Sequence, residues 1–214
     1  MRNKRSARAA LLACAGFAAL GLMAGVSPAA AKTKSKTRTV STCVNAAAPI
    51  LDRLANSVSI NVPVPKIRGK RQSGTVTAFQ SVGVRITHTY VGDLDLVLVS
   101  PAGKAVPLAT ERDSTHNDYG SGPANCTGQL VQFGDTFPTP ISSIDSLPGT
   151  DTPPITGSFS PEQPLSGFLG GPAKGLWTLV VHDCCNQDQG SIDAFSLQFT
   201  FKYKVPAKKK KGGK

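Results

Sequence analysis

The stretch Ile86-Thr-His-Thr-Tyr-Val-Gly-Asp-Leu-Asp-Leu-Val-Leu-Val-Ser-Pro101 carries the most information about the fold. Its pattern predicts a strand, a tight corner and a second strand. In the second strand Asp93 and Asp95 stand two residues apart, which predicts that they share one face with a separation of about 7 Å. The leucines between and after them take the opposite parity. One face of this strand is therefore predicted to be buried, and the other to carry acids near its start.

A second informative segment is Gly175-Leu-Trp-Thr-Leu-Val-Val-His-Asp183. Trp177 shares its parity with two aliphatic residues, so it is predicted to lie in the core, and Asp183 ends the strand. One short helix is expected within residues 43–56, and residues 111–164 are predicted to be mostly loop. Short strands with frequent turn signals predict an all-β sandwich. The predicted strands are 58–64, 74–80, 82–89, 94–100, 106–109, 130–133, 155–159, 176–182 and 192–202.

The N-terminus has the pattern of a secretory signal peptide. Residues 1–8 are basic, residues 9–26 are rich in Ala, Leu and Gly, and an A-x-A site ends at Ala31. Cleavage near Ala31 would release a secreted, extracellular chain, and an uncleaved membrane anchor is the alternative. The predicted organisation is a signal peptide at 1–31, a basic tail and linker at 32–57, a sandwich at 58–203 and a lysine-rich tail at 204–214.

The charge of the chain is concentrated at its ends. The formal net charge is +11, but residues 40–203 carry ten basic residues against all thirteen acids, which leaves this part near −3. The basic tails would either keep the chain soluble or attach it to anionic envelope polymers or lipid. Nucleic acid is not an expected partner, because no aromatic residues interleave with the lysines.

Four cysteines follow the predicted signal peptide: Cys43, Cys126, Cys184 and Cys185. An even number in an exported chain favours disulfides. A bond between neighbouring cysteines is uncommon, so the expected pairing joins one of Cys184 and Cys185 to Cys43 and the other to Cys126. Zinc is the alternative, but the C-x2-C ligand spacing is absent.

These motifs, in this order, resemble the P domain (P/homo B domain) of proprotein convertases and their bacterial relatives. The resemblance runs from about Val58 to Tyr203 and is weakest over 111–164. It implies a jelly-roll β-sandwich of the galactose-binding-like type. The motifs are His88-Thr-Tyr-Val-Gly-Asp-Leu-Asp95, Ser100-Pro-Ala-Gly103, Leu165-Ser-Gly-Phe-Leu-Gly170, Gly175-Leu-Trp177, Asp183 and Gln187-Asp-Gln-Gly-Ser-Ile192.

Calcium is the expected cofactor, because carboxylates and carbonyl oxygens from loops at one end of a sandwich form the hard-oxygen shell that it prefers. A loop that carries calcium ligands in many bacterial relatives resembles residues 119–126, although Ala124 stands where an acid is expected. Asp118 or Asp113 would compensate for it. The alternative is that Asp95 is a buried hydrogen-bonding acid and the others are turn residues. The candidate ligands are Asp93, Asp95, Asp118, Asn125, Asp183 and Asp188.

Catalysis has little support in the sequence. No G-x-S-x-G nucleophile motif occurs, and the subtilisin-like catalytic domain that P domains usually follow would need several hundred further residues. The resemblance implies a non-catalytic module that binds or stabilises a protein partner, including a component of a subtilisin-like proteolysis system that acts in trans. A carbohydrate or cell-wall binding module is the alternative function.

Overall fold

The computed structural model describes residues 33–63, 65–67, 70–71, 73–112, 116–147 and 154–206. The predicted signal peptide, the lysines at 208–211 and Asp113 lie outside these ranges. Within them, no helix has the length and apolar character needed to cross a membrane. Helical structure in the described ranges is confined to three short 3-10 segments, Val91–Asp93, Ile141–Ser146 and Leu165–Phe168.

Strands make up most of the described chain, and the longer ones alternate between buried and more exposed side chains. In the strand Leu94–Val99 every second residue is buried, because successive side chains in a strand point to opposite faces. The strands are β1 (Thr33–Ile50), β2 (Ala55–Val62), β3 (Lys66–Ile67), β4 (Lys70–Arg71), β5 (Gly74–His88), β6 (Leu94–Val99), β7 (Ala105–Thr110), β8 (Val131–Phe133), β9 (Ser158–Phe159), β10 (Gly175–Asp183) and β11 (Gly190–Pro206).

Two sheets form the sandwich. The five-stranded sheet has the order β1-β11-β5-β8-β9, and the four-stranded sheet has the order β2-β10-β6-β7. All neighbours within these sheets are antiparallel except β8 and β9. Most neighbours are far apart in sequence, so the chain crosses repeatedly between the sheets. The architecture confirms the predicted all-β sandwich.

An aromatic core lies between the two sheets and consists of Phe79, Phe168, Trp177 and Phe199. The ring centroid of Trp177 is 5.0 Å from that of Phe199 and 5.1 Å from that of Phe168. Trp177 is fully buried, and its indole nitrogen donates a hydrogen bond of 3.0 Å to the carbonyl of Ala173. This arrangement satisfies the polar atom of the largest buried side chain, and it confirms that Trp177 belongs to the core.

The sandwich begins earlier than the sequence pattern indicated. Residues 33–42, predicted to be a tail, and residues 43–50, in which a short helix was expected, form the edge strand β1. This strand pairs with β11 from Thr33 opposite Pro206 to Ile50 opposite Gly190, with a register shift after Asn45. The helix prediction is wrong because it weighed local composition alone. Pairing with β1 satisfies backbone groups of β11 that would otherwise form the sheet edge.

The predicted break at Ser81 is a register shift inside one strand. β5 continues through it for 15 residues. Ser81 lies opposite Gln198 while Phe79 lies opposite Phe199, so Gln80 is an extra residue in β5. Such a bulge bends a strand without ending it, which is why the sequence pattern suggested two strands.

The disulfide pairing differs from the expected one. Cys43 in β1 bonds to Cys126 in the loop before β8, with 6.0 Å between their Cα atoms. Cys184 bonds to its neighbour Cys185. The expected pairing is wrong because Cys43 lies opposite Ser196 within the sheet, whereas Cys184 and Cys185 follow the end of β10. A disulfide cannot bridge cysteines whose Cα atoms are more than about 7 Å apart.

Candidate metal centre at one end of the sandwich

Four carboxylates converge on one end of the sandwich. Asp93 ends the 3-10 turn before β6, Glu111 follows β7, Asp183 ends β10, and Asp188 lies in the loop before β11. The charges of the other three all act on the carboxyl group of Asp93. These four residues are called the acidic end below. They come from three segments that are distant in sequence, so only the fold brings them together.

Asp93 shows the electrostatic consequence of this arrangement. Burial raises the pKa of its carboxyl group, and the negative charges of Asp183 and Asp188 raise it further. His88 lowers the pKa of Asp93, and Glu111 adds a small increase. The ionised carboxylate of Asp93 is therefore insufficiently compensated by the protein itself. A bound cation would provide the missing compensation.

Hydrogen bonds hold the loop after β10 against this carboxylate. The amide of Cys184 donates a bond of 2.9 Å to the carbonyl of Asp93. The amide of Cys185 donates a bond of 2.9 Å to Oδ1 of Asp183. The hydroxyl of Thr89 donates a bond of 2.6 Å to Oδ1 of Asp188. The acidic side chains are thus positioned by the backbone and by short local bonds.

A buried histidine, His88, contacts the carboxylate of Asp183. Nε2 of His88 lies 3.3 Å from Oδ2 of Asp183, and both side chains are 0% exposed. Nδ1 of His88 lies 2.8 Å from the carbonyl oxygen and 3.2 Å from the amide of Tyr90. Both oxygens of Asp183 therefore already have partners. Asp183 mainly positions the loop, while Asp93 and Asp188 offer more open carboxylates.

The ligand chemistry here is that of oxygen. One sulfur atom each of Cys184 and Cys185 lies within 4.8 Å of a carboxylate oxygen of Asp93. These sulfurs are joined in a disulfide, so they have no thiolate to offer a zinc ion. Carboxylate and carbonyl oxygens remain, and these are the ligands preferred by calcium. The oxygen chemistry of the acidic end therefore suits a hard divalent cation, although among the described residues no three carboxylates bring their oxygens within 4.8 Å of one another.

Sequence reasoning missed two acids at this end, Glu111 and Asp52. Glu111 was included in the loop region, and its amide donates a bond of 3.1 Å to the carbonyl of Leu94. Asp52 lies in the turn between β1 and β2, where its Oδ2 accepts a bond of 3.1 Å from the amide of Gln187. Its Oδ1 is buried and has no partner among the described residues. No local motif marks either acid, because both depend on the strand pairing.

Asp95 is in different surroundings. β6 begins at Leu94 and Asp93 belongs to the preceding turn, so the prediction that Asp93 and Asp95 share a strand face is wrong. Asp95 lies opposite His182 in β10, with Oδ2 3.5 Å from Nδ1 of that histidine. The two side chains are 28% and 42% exposed. Asp95 therefore lies on the outer face of the four-stranded sheet.

Asp118 and Asn125 have their own partners. Oδ1 of Asp118 accepts a bond of 2.9 Å from the amide of His88, and Oδ2 lies 3.5 Å from Nη2 of the buried Arg85. Oδ1 of Asn125 accepts bonds of 2.8 Å and 2.6 Å from the amide and hydroxyl of Thr127. The described contacts thus link Asp118 to the acidic end only through His88, and Asn125 stabilises its own turn.

Comparison with known families supports the resemblance seen in the motifs. Residues 78–133 match the family model described as the proprotein convertase P-domain. This stretch includes the His88–Asp95 motif and confirms the predicted P-domain resemblance. No curated protein matches the chain.

Two solved structures are similar in backbone. One is a serine protease of Aeromonas sobria, with a TM-score of 0.43 and 17% identity, covering 82% of this chain and 28% of the protease chain. The other is the same protease in complex with a chaperone, with a TM-score of 0.42 and 18% identity, covering 79% of this chain and 27% of the other. The chain thus spans little more than a quarter of those protease chains.

Proposed function

We propose that this chain is a secreted, non-catalytic module of P-domain type that binds calcium at its acidic end and docks on a protein of a subtilisin-like proteolysis system. One observation supports the calcium site above all others. The charges of Asp183, Asp188 and Glu111 all act on the carboxyl group of Asp93, and its pKa is raised by burial and by these three charges. Repulsion among these carboxylates favours a bound cation or a proton at Asp93.

The calcium site would use Asp93 and Asp188 as its open carboxylates and Glu111 as a further one, with backbone carbonyl oxygens and water completing the oxygen shell. Asp183 would hold the loop through His88 and the amide of Cys185. Calcium neutralises part of the negative charge and ties together segments that precede β6, follow β7 and follow β10. Its role in this proposal is structural.

Thermal unfolding in calcium and in chelator tests the site. Extracellular calcium modules bind at about 0.1–1 mM, so at the tight end of that range 1 mM calcium stabilises the fold by about 1.4 kcal/mol through mass action. That corresponds to a rise in Tm of roughly 3–6 °C for a chain of this size. Asp93→Asn should remove this gain.

Asp95→Asn is the matched control for that experiment. It removes the same charge two residues away, from the outer face beside His182. The proposal expects the control to keep its calcium response. An identical Tm of the unmodified protein in calcium and in chelator would refute the site, and loss of the response in Asp95→Asn alone would move it to the outer face.

The protein partner is supported by the P-domain match and by exposed apolar side chains near the acidic end. Leu51 and Leu54 flank Asp52 and are 43% and 56% exposed. The P-domain resemblance implies a surface that packs on a protease and stabilises it. Large exposed hydrophobic residues in the described chain are leucines, not aromatics, which favours a protein partner over sugar stacking at the ends of the sandwich.

Co-purification tests the partner. Residues 32–214 are used as bait in the secreted fraction, with calcium and with chelator, and bound proteins are identified by mass spectrometry. Recovery of a subtilisin-like protease that is lost with Leu51→Ser/Leu54→Ser, but kept with Leu147→Ser as the matched exposed leucine, would support the proposal. If no protease is recovered, or if all variants recover it equally, this docking surface is refuted.

A further inference from the structure

The outer face of the five-stranded sheet carries a groove separate from the acidic end. It has a volume of about 500 Å³ and lies across β1, β11, β5 and β8. Along β11 its centre at Ser196 is six residues from Gly190, or about 20 Å from the loop that carries the acidic end. The groove is lined by Ser41, Thr42, Cys43, Ser81, Gln132, Phe137, Ser196, Leu197 and Gln198.

Strand register arranges the polar groups of the groove in two rows. One row runs across three strands, with Ser41 opposite Gln198 and Gln198 opposite Ser81. Between the rows, Val82 and Leu197 point into the core and are buried. The second row runs across four strands and consists of Cys43, Ser196, Gly83 and Gln132. Neighbouring strands lie about 4.8 Å apart, so the two rows together spread hydroxyl and amide groups across some 14 Å, from Ser41 on β1 to Gln132 on β8.

Gly83 has no side chain, so its backbone forms the floor of the groove in the second row. A Cβ atom at Gly83 would lie 2.3 Å from Oγ of Ser196 and 2.5 Å from Nε2 of Gln132. The two polar groups therefore approach each other over bare backbone. Their strands are internally paired, so the groove cannot accept another strand by backbone hydrogen bonding, and a ligand must be recognised by side chains.

An aromatic ring forms one wall of the groove. Phe137 is half-buried and lies over Gly134, where a Cβ atom would be 2.8 Å from its Cε2. The amide of Phe137 donates a bond of 3.1 Å to the carbonyl of Gly134, which closes the turn. The Cys43–Cys126 disulfide fixes the edge strand on the other side. The groove is thus built on rigid elements, as a binding site requires.

The chemistry of the lining is polar but uncharged. None of its residues carries a formal charge. Among the hydrogen bonds of the described residues, none uses the side chains of Ser41, Ser81, Gln132, Ser196 or Gln198. These groups are available as donors and acceptors. An anionic ligand would find no cation here, and an apolar ligand would leave the amides unpaired.

We infer that this groove binds a neutral carbohydrate chain. Sugar hydroxyls would pair with the hydroxyl and amide groups of the two rows, and the apolar face of a sugar ring would lie against Phe137. A volume of about 500 Å³ falls within the range of ligand pockets in general, roughly 300–1,000 Å³. This function is additional to the proposed calcium site and does not depend on it.

Isothermal titration with neutral hexasaccharides tests the inference. The probes are the hexamers of cellulose, xylan, mannan, laminarin and amylose, with hexagalacturonate as the charged reference. At least one neutral probe should bind saturably, equally well in calcium and in chelator. Gln132→Ala/Gln198→Ala should weaken that binding about tenfold or more, since two neutral hydrogen bonds are lost.

Asn61→Ala is the matched control, because Asn61 is an exposed amide on β2 of the other sheet. It should leave binding unchanged, and Phe137→Ala should weaken it. The inference is overturned if no neutral probe binds, if only hexagalacturonate binds, or if Asn61→Ala weakens binding as much as the groove variants. Unchanged Tm values of the groove variants would confirm that they are folded.

Discussion

The aromatic core and the acidic end are assembled in opposite ways. In the core, Phe79, Trp177 and Phe199 pack within 5.0–5.5 Å of one another and depend on nothing outside the protein. At the acidic end, the negative charges of neighbouring carboxylates act on Asp93. Burial of apolar surface stabilises the first region without a bound ion or a titrating group. The second region is sensitive to protonation, because neighbouring negative charges raise the pKa of Asp93, and its binding of a cation is a proposal.

Shortening a side chain of the aromatic core should lower the stability of the fold most. Trp177→Ala removes the largest buried side chain and should cost about 3–5 kcal/mol of stability. Because the aromatic core is insensitive to ions, the loss measured by urea unfolding should be the same in calcium and in chelator. A loss that differs between the two conditions would show that the core and the acidic end are coupled.

Two histidine–aspartate pairs differ in burial, and the stability lost on removing each histidine should differ accordingly. His88 and Asp183 are both 0% exposed, so His88→Ala leaves a buried carboxylate without its partner and should cost about 1–3 kcal/mol. His182 and Asp95 are 42% and 28% exposed, and His182→Ala should cost at most about 1 kcal/mol. Equal losses in urea unfolding would contradict this comparison.

The effect of Asp93→Asn on thermal stability should have opposite signs in chelator and in calcium. The pKa of Asp93 in the fold is raised above its ordinary value of 3.8. Between pH 3.8 and the raised pKa, the folded state therefore binds more protons than the unfolded state. Asp93 consequently makes the stability of the fold decrease as the pH rises from 3.8 through the raised pKa. In chelator at pH 7, Asp93→Asn should thus melt above the unmodified protein, and in millimolar calcium below it.

Measuring the Tm of both proteins in chelator over a range of pH checks the sign of this effect. The advantage of Asp93→Asn should shrink as the pH falls through the raised pKa towards 3.8, and it should be absent well below 3.8, where the unmodified Asp93 is protonated in both states. Asp95→Asn, on the outer face beside His182, should not reproduce the pattern. If Asp93→Asn melts below the unmodified protein in chelator at pH 7, the acidic end is not strained by charge.

Removal of the C-terminal lysines should have the smallest effect on stability. β11 continues to Pro206, which lies opposite Thr33, so truncation must follow Pro206 to leave the sheet intact. Such a chain should keep its Tm and its calcium response. Truncation after Tyr203 removes three paired residues of β11 and should lower the Tm.

The same truncation tests the charged tail. If the lysines at 208–211 attach the chain to an anionic surface, loss of residues 207–214 should weaken retention on acidic vesicles at low salt. Exposed charges are screened within about 10 Å at 0.1 M salt, so the difference should vanish at high salt. Equal retention of both chains at low salt would assign the tail a solubilising role only.

Local patterns in the sequence were sufficient to predict much of the fold. The alternation in β6, β10 and β11, the burial of Trp177 and the P-domain motifs were all readable, because side-chain parity is a property of each strand alone. The same patterns identified Asp93, Asp183 and Asp188, which the fold brings to one end. Whether calcium binds there remains a prediction.

Tertiary structure alone decided the remaining features. β1 is a strand because β11 offers it an edge, although its own composition suggested a tail and a helix. The pairing of Cys43 with Cys126 and the approach of Glu111 to Asp93 join positions far apart in sequence. The neutral groove exists because register places Ser196, Gly83 and Gln132 side by side. Such contacts depend on which strands pair and in what register, and no local pattern encodes that choice.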